Sequence, residues 1–470
     1  MPSAARLSSL YTLTACALLV GMAGCGGGGG GGGDDGDALA GCGESSRKQF
    51  VLDVTREWYL FDDLLPTSVN TADFADAETL LDYLTATARD QGKDRYFSYL
   101  TTRAAEQSLL GEGEFVGFGF RTRTDPVNRP MILEVFESSP ASEAGMQRGD
   151  EIVAVDSGSG YVDVSVLLAD GSTISDALGP ADIGVRRGLR LLRDGATREV
   201  TLVKRTVTID PVSDVYGVRV LPLAGTTGVG YLNLRTYITT ADPQLRAAFD
   251  QFRLLNLDYF IVDLRYNGGG LVSISELINN LLGAARSRTD VQFRSVHNVR
   301  KSGENSTTRF NPASQSVQPV RIAFLTTAGT ASASEMNINS MLPWVEIAMF
   351  GDDTLGKPVG QYAFDLPGCE DRLRLVTFKT VNALGQGDYY DGLAALVPNA
   401  CAATDTLDQP LGSTSEGMVS AALGWLGGSS ACAPMAAGLA RAKASGAEFA
   451  QRYPRPRHPS AAQWWLPGLE

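Results

Sequence analysis

Two continuous apolar runs, each followed by a glycine-rich turn, constrain the fold of this chain more than any other feature. Residues 259–264 and 321–325 lack the alternation of a half-exposed strand, so they predict strands buried on both faces of a sheet. An amphipathic helix pattern over residues 243–255 precedes the first run, and a strand pattern over residues 228–238 precedes that helix. Strand, helix and strand in this order predict an α/β sheet, in which ligands gather where the strands end.

The length of 470 residues exceeds what one hydrophobic core supports, so we expect several domains. Apolar residues recur at helical spacing soon after residue 46, whereas short runs and turn signals follow, among them the hairpin signal Asp170-Gly171. We therefore predict an α/β multidomain protein. Its predicted regions are an N-terminal helical domain (46–103), a β-rich domain (104–207), an α/β core (208–428) and an irregular C-terminal tail (429–470).

The first residues predict export rather than a folded element. Arg6 precedes an apolar run that ends in Met22-Ala23-Gly24-Cys25, which resembles a bacterial lipobox. We expect residues 1–24 to be a lipoprotein signal peptide, Cys25 to carry lipid, and residues 25–45 to form a glycine-rich flexible tether. A plain secretory signal is the alternative. The pattern predicts a protein anchored by lipid in the bacterial cell envelope, facing the periplasm and attached to the outer membrane.

Four cysteines remain once Cys16 is removed and Cys25 is lipidated. An even number in an oxidising compartment predicts two disulfides, and the sequence permits three pairings, with a Cys369–Cys401 bridge closing a turn-rich loop. The spacings are wide, no C-x-x-C motif occurs and only two histidines are present, so no metal site and no cofactor are expected. The four candidates are Cys42, Cys369, Cys401 and Cys432.

The net charge of −13 argues against a nucleic-acid partner, because phosphate binding needs a positive surface. It says nothing about what else the protein binds, and the oligomeric state is left open.

Candidate catalytic residues lie in the turn after the second apolar run. The stretch Gly329 to Glu335 places Ser332 and Ser334 at the start of a helix, where backbone N–H groups are free. Lys357 follows a glycine, in a chain that has seven lysines against thirty-three arginines. A neutral lysine could take the proton of a serine hydroxyl, which arginine cannot do. The simpler interpretations, a helix-capping serine and a solvated lysine, remain open at this point.

Three motifs resemble the carboxyl-terminal processing (tail-specific) protease family, a family of serine proteases with a PDZ domain. They are D-L-R-x-N-x-G-G from Asp263, G-T-A-S-A-S-E from Gly329, and L-G-K-x-x-x-Q from Leu355, and the likeness covers roughly residues 50–425. The resemblance implies a crotonase-like protease core. It also implies a nucleophile, a base, an orienting glutamine and two oxyanion donors, which fall on Ser332, Lys357, Gln361, and the N–H groups of Ala333 and of Gly269 or Gly270. Pro343 stands where some members carry an aspartate; Asp352 and Asp353 lie nearby in sequence but out of register.

The β-rich domain resembles a PDZ domain in the order of its elements. A loop of Gly117, Phe118, Gly119 and Phe120 precedes a strand, a short helix and the turn Gly149-Asp150. The backbone N–H groups of such a loop could bind the terminal carboxylate of a peptide that adds a strand to the sheet edge.

The expected function is hydrolysis of proteins whose C-termini this domain recognises. A catalytically inactive, peptide-binding lipoprotein of the same architecture is the alternative. A carbohydrate-binding or scaffold lipoprotein is a third possibility, for which we find no aromatic-lined groove.

Overall fold

The computed structural model describes residues 41–430, 432–435, 453, 459–466 and 468–470. The predicted signal peptide, the lipidated Cys25 and most of the predicted tether lie outside these residues. No helix among them combines the length and the apolar character needed to cross a membrane.

The N-terminal region forms two helices, as their apolar spacing predicts. The second helix begins with a capping box between Asp76 and Thr79, and both helices bury one face, with Leu80 and Val51 fully buried. The chain then enters a strand and two short helical segments. The elements are α1 Glu44–Trp58, α2 Ala77–Asp90, β1 Tyr99–Thr102, α3 Arg103–Glu106 and a π-helical turn, Gln107–Glu112.

Residues 114–208 form a separate β-rich region, which we call the middle region. Its main sheet has the order β3-β4-β5-β7-β8, with β6 paired to β5, while β2 pairs with β9. The hairpin predicted at Asp170-Gly171 is wrong, because this turn joins two short helices; Asp194 and Gly195, both with positive φ, make the tight turn between β7 and β8. The elements are β2 Glu114–Gly117, β3 Phe120–Thr124, β4 Pro130–Val135, α4 Pro140–Glu143, β5 Glu151–Asp156, β6 Tyr161–Asp163, α5 Val164–Leu167, α6 Ile174–Leu178, β7 Arg186–Arg193, β8 Ala196–Val203 and β9 Arg205–Thr208.

The remaining chain builds a six-stranded central sheet and, together with β1 of the N-terminal region, a five-stranded outer sheet. The central sheet has the order β10-β11-β12-β15-β16-β19 and is parallel except for β10; the outer sheet joins β1, β18, β13 and β14, with β17 on β18. The elements are β10 Val218–Leu221, β11 Val229–Asn233, α7 Ala241–Leu254, β12 Tyr259–Asp263, α8 Val272–Leu281, β13 Val291–His297, β14 Ser306–Arg309, β15 Arg321–Thr326, α9 Ala333–Met341, β16 Glu346–Gly351, β17 Val359–Asp365, β18 Asp371–Asn382, β19 Asn399–Ala402, α10 Gly417–Leu426 and α11 Ala461–Trp465.

Helices cover both faces of the central sheet, which explains why its strands read as continuous apolar runs. Phe260 and Val262 of β12 pack with α7, α8 and α9 on one face, while Ile261 packs with α10 on the other. The predicted mixed α/β multidomain architecture is confirmed.

Two disulfides are present in the structure. Cys42, just before α1, is bonded to Cys369 in the turn between β17 and β18, and Cys401 is bonded to Cys432. The Cys369–Cys401 bridge considered from the sequence is therefore wrong. The first disulfide fastens the N-terminal helices to the outer sheet, on which they also pack through Leu373 and Leu375.

Buried ion pairs join the middle region to the central sheet. Arg265, fully buried, pairs with Asp263, Asp405 and Glu416 at 2.8–3.0 Å, and Arg148 of the middle region reaches the same Asp405. Burial opposes ionisation of Asp405, but the neighbouring guanidinium groups outweigh it and hold the pKa of this carboxyl below its usual range. Since removing one partner of a buried pair leaves an uncompensated charge, this network fixes how the two parts meet.

Candidate active site

The candidate residues follow three neighbouring strands of the central sheet. The turn Asp263–Gly270 follows β12, the turn that carries Ser332 follows β15, and Lys357 follows β16. Because β12, β15 and β16 are adjacent and parallel, their carboxyl ends bring the three segments to one edge.

Ser332 occupies a strained position at the start of α9. Its φ is +55°, in the left-handed region that side chains other than glycine rarely adopt, and it immediately precedes the helix. Ser334, the competing candidate, is fully buried and donates its hydroxyl hydrogen bond to the carbonyl of Asn267 at 3.0 Å. That contact gives Ser334 a structural role and leaves Ser332 on the cavity wall.

Glu335 ties the serine turn to the lysine turn. One of its carboxylate oxygens accepts the N–H groups of both Ser332 and Lys357 at 2.8 Å, and the other accepts the N–H of Gly356 at 2.7 Å. The two candidate catalytic residues therefore have their backbone nitrogens on the same oxygen atom. Sequence reasoning assigned this glutamate no role, although serine followed three residues later by glutamate is a capping-box signal.

The amine of Lys357 lies among protein groups rather than in open solvent. It donates to Oε1 of Gln361 at 2.9 Å and lies 4.8 Å and 5.7 Å from the ring centres of Phe97 and Trp465. Loss of hydration on burial lowers the pKa of Lys357 from 10.5 to about 8, although the carboxylate of Asp94 opposes the change. The hydrogen bond of the amine goes to Gln361 here, and none joins it to the Ser332 hydroxyl. Catalytic hydrogen bonds often form only with substrate bound.

The N-terminal region contributes directly to this site, which its sequence gave no sign of. Gln361 donates through its amide to the carbonyl of Phe97, and Arg95 donates to the carbonyls of Leu355 and Gly356 at 2.7 Å and 2.6 Å. The chain just before β1 therefore holds the lysine turn and supplies an aromatic wall to the amine.

Two backbone N–H groups beside Ser332 have no protein acceptor within the described part of the chain. One belongs to Ala333 and the other to Gly270, whereas the N–H of Gly269 donates to the side chain of Asn267 at 2.9 Å. Gly269 still has to be glycine, because a Cβ atom there would lie 2.8 Å from Cβ of Ser332. Of the two glycines that the resemblance offered, the geometry favours Gly270 as the second oxyanion donor.

Ser332, Gln361 and Trp465 line one cavity of about 400 Å³, together with Gly270 and Phe293. The cavity extends between the central and outer sheets, so an extended chain could reach the serine from there. The described residues contain no group of three or more His, Cys, Asp or Glu side chains that could hold a metal ion.

The position of Pro343 supplies no carboxylate to this cavity, and neither Asp352 nor Asp353 lines it. Asp353 accepts the backbone N–H groups of Thr354 and Ala394 at 2.8 Å and 2.9 Å, which is a structural role.

A second candidate site is the surface formed by the loop Gly117–Phe120 and the edge of β3. We call this surface the β3 groove. The N–H groups of Phe118, Gly119 and Phe120 donate to the carbonyl oxygen of Glu470 at 3.1, 2.9 and 3.4 Å. The N–H of Glu470 donates back to Phe120, and the carbonyl of Gly468 accepts from Thr122. The tail, predicted to be irregular, thus forms α11 and then pairs antiparallel with β3.

Comparison with known proteins identifies the domains. Residues 228–389 match Peptidase family S41, and residues 46–99 match the Peptidase S41 N-terminal domain. The chain is 28% identical over 257 residues to the carboxyl-terminal-processing protease of Synechocystis sp., covering 54% of this chain and 56% of that protein. It is 27% identical over 263 residues to carboxyl-terminal-processing peptidase 2, chloroplastic, of Arabidopsis thaliana, covering 54% and 47%.

A solved structure agrees at the level of the fold. A protein of Bacteroides fragilis whose structure carries the S41 protease name superposes with a TM-score of 0.63 at 24% identity, covering 81% of this chain and 97% of that one. The chain spans about half the length of the curated relatives it matches.

These matches define the class as one with serine peptidase domains. More narrowly, residues 228–389 and 46–99 match the two domains of peptidase family S41, and the chain is similar to the carboxyl-terminal-processing proteases, so the resemblance drawn from its three motifs is confirmed.

Proposed function

We propose that this protein is a serine endopeptidase that uses Ser332 as nucleophile and Lys357 as general base. The observation that carries the proposal is the environment of Lys357. The pKa of its amine is lowered to about 8, and its backbone N–H donates to the same Glu335 carboxylate oxygen as the backbone N–H of Ser332. A desolvated lysine keeps a useful neutral fraction near neutral pH and can accept a proton.

The reaction would proceed through an acyl-enzyme. The neutral amine accepts the hydroxyl proton of Ser332 while the serine oxygen bonds to the peptide carbonyl carbon, and the N–H groups of Ala333 and Gly270 stabilise the oxyanion. As the C–N bond breaks, the Lys357 ammonium gives its proton to the leaving amine. Water then attacks the ester with Lys357 again as base, which releases the carboxylate product and restores Ser332.

The middle region would serve as a PDZ-like domain that binds the C-terminus of a protein substrate. Three N–H groups directed at one oxygen, on the edge strand with which residues 468–470 pair here, suit the end of an extended peptide. We further propose export and lipid anchoring at Cys25, facing the periplasm, on the strength of the lipobox-like segment alone.

A fluorophosphonate probe tests the first proposal, because it labels an activated serine. Labelling is expected for the intact chain and should be absent in Ser332→Ala. In Lys357→Met it should be at least about a hundredfold slower, the usual size of a general-base effect. Lys379→Met, which changes a partly exposed lysine paired with Asp388, is the matched control and should label normally. Labelling that survives Ser332→Ala would exclude this nucleophile, and an absence of labelling in every form would favour an inactive peptide-binding protein.

A further inference from the structure

The β3 groove is filled by residues 468–470 of the same chain, and the fit involves side chains as well as backbone. Leu466 and Leu469 are 0% and 2% exposed, in a cluster with Phe115, Phe136 and Val207. The segment thus combines the strand pairing described above with an apolar anchor, which are the two components of peptide recognition by strand addition.

The side chain of Glu470 enters a polar pocket of the middle region. Its carboxylate accepts the hydroxyl hydrogen of Ser175, and Thr122 donates to it at 3.4 Å. Burial raises the pKa of Glu470 to about 7, while Ser175 and the ammonium of Lys204 act in the opposite direction. An apolar side chain of similar size would leave both hydroxyl groups without this partner.

The same segment also covers the candidate active site. Trp465, at the end of α11, lies over the amine of Lys357 and lines the cavity that contains Ser332. Its side chain is 7% exposed, so the indole is packed rather than loosely attached. Occupation of the groove and coverage of the cavity are therefore coupled through five residues of chain.

We propose that Leu466 and residues 468–470 are a resident ligand of the β3 groove, that the groove selects peptides whose last side chain is a carboxylate, and that a substrate must displace this segment. The proposal rests on the proposed peptide-binding role of the middle region. It adds the substrate class, namely chains that end in an acidic residue preceded by leucine, and a built-in competitor.

A single added methyl group should release the segment. A Cβ atom at Gly468 would lie 1.9 Å from the carbonyl oxygen of Thr122, so Gly468→Ala cannot keep the strand pairing. Gly225→Ala is the matched control: Gly225 has φ +79° against +72° for Gly468, and nothing lies within 4 Å of its added atom. Glu470→Leu weakens the same contact without adding a clash.

Binding is measured by fluorescence anisotropy on the full chain carrying Ser332→Ala, so that hydrolysis plays no part. The probe is fluorescein-labelled Leu-Pro-Gly-Leu-Glu with a free carboxyl end, and its counterpart ends in leucine. We expect the Glu probe to bind Gly468→Ala and Glu470→Leu at least tenfold more tightly than the parent or Gly225→Ala. We also expect it to bind at least tenfold more tightly than the Leu probe, with this preference lost in Lys204→Gln/Ser175→Ala.

If the Glu probe binds the parent, Gly468→Ala and Glu470→Leu with equal affinity, the proposal that the tail is a resident ligand of the groove is wrong. If Gly468→Ala unfolds in a thermal melt, Glu470→Leu decides this point. Equal affinity for the two probes would overturn the acidic preference, and no binding to any form would overturn both together with the peptide-binding role. Because binding is read without Ser332, none of these results depends on whether the Ser332–Lys357 site hydrolyses peptides.

Discussion

The pH dependence of acylation at Ser332 tests the lowered pKa of the half-buried Lys357 most directly. With a pKa of about 8, about 9% of Lys357 is neutral at pH 7, whereas only about 0.03% of a lysine at its ordinary pKa of 10.5 would be neutral. Burial therefore enlarges the neutral fraction about 300-fold at this pH. Because the neutral amine is the competent base, the labelling rate should rise about tenfold per pH unit below 8 and level off above it.

The assay is the pseudo-first-order rate of fluorophosphonate labelling between pH 6 and pH 9.5. Lys379→Met should reproduce the same curve, since the amine of Lys379 pairs with Asp388 and does not line the cavity. Lys357→Met should leave a slow labelling rate that hardly changes with pH. A labelling rate that still rises about tenfold per pH unit up to pH 9.5 would mean that the amine of Lys357 is hydrated and keeps its ordinary pKa. A flat curve for the intact chain would mean that Lys357 is not the base, and either result refutes the reasoning.

Three further changes have defined outcomes. Gly269→Ala should slow labelling at least about a hundredfold, the usual cost of disturbing an oxyanion hole, because its Cβ would press on Ser332, and circular dichroism should show the fold retained. Glu335→Gln replaces one acceptor oxygen by an NH₂ group, so we expect the free energy of unfolding, measured by urea titration, to fall by about 1–3 kcal/mol. We also expect kcat to fall with little change in KM. A change in KM alone would contradict the role of Glu335 in holding the Ser332 and Lys357 turns together. Cys42→Ser should destabilise the oxidised protein by about 2 kcal/mol more than Cys401→Ser, since the two loops span 327 and 31 residues and the chain-entropy cost grows as 1.5RT ln n; equal losses would contradict that model.

Sequence reasoning recovered the central sheet and the serine turn because their signals are local. The strand patterns at residues 259–264 and 321–325 nearly match β12 and β15, and the helix pattern at 243–255 nearly matches α7. The strand predicted over 228–238 is shorter, ending at Asn233, because the chain leaves the sheet there and pairs only once more, at Tyr237 with the turn that carries Gly270.

What the sequence could not supply are contacts between distant segments. The wall that Phe97 makes beside Lys357 involves residues 260 positions apart, and an apolar residue before a strand gives no sign of such a neighbour. The choice between Gly269 and Gly270 depends on where the amide of Asn267 points, which is set by its hydrogen bond to the carbonyl of Leu234 at 2.7 Å. The docking of the tail likewise depends on a pocket assembled from separate strands and helices.

The bond between Cys42 and Cys369 has a mechanical consequence. It precedes α1 in the chain, so a pull on the residues before Cys42 is transmitted through two sulfur atoms to the outer sheet, and α1 carries none of the load. Since Cys369 lies in the turn that joins β17 and β18, both strands share the tension. Once that disulfide is reduced, the same pulling force would act on α1, which would then be the first element to unfold.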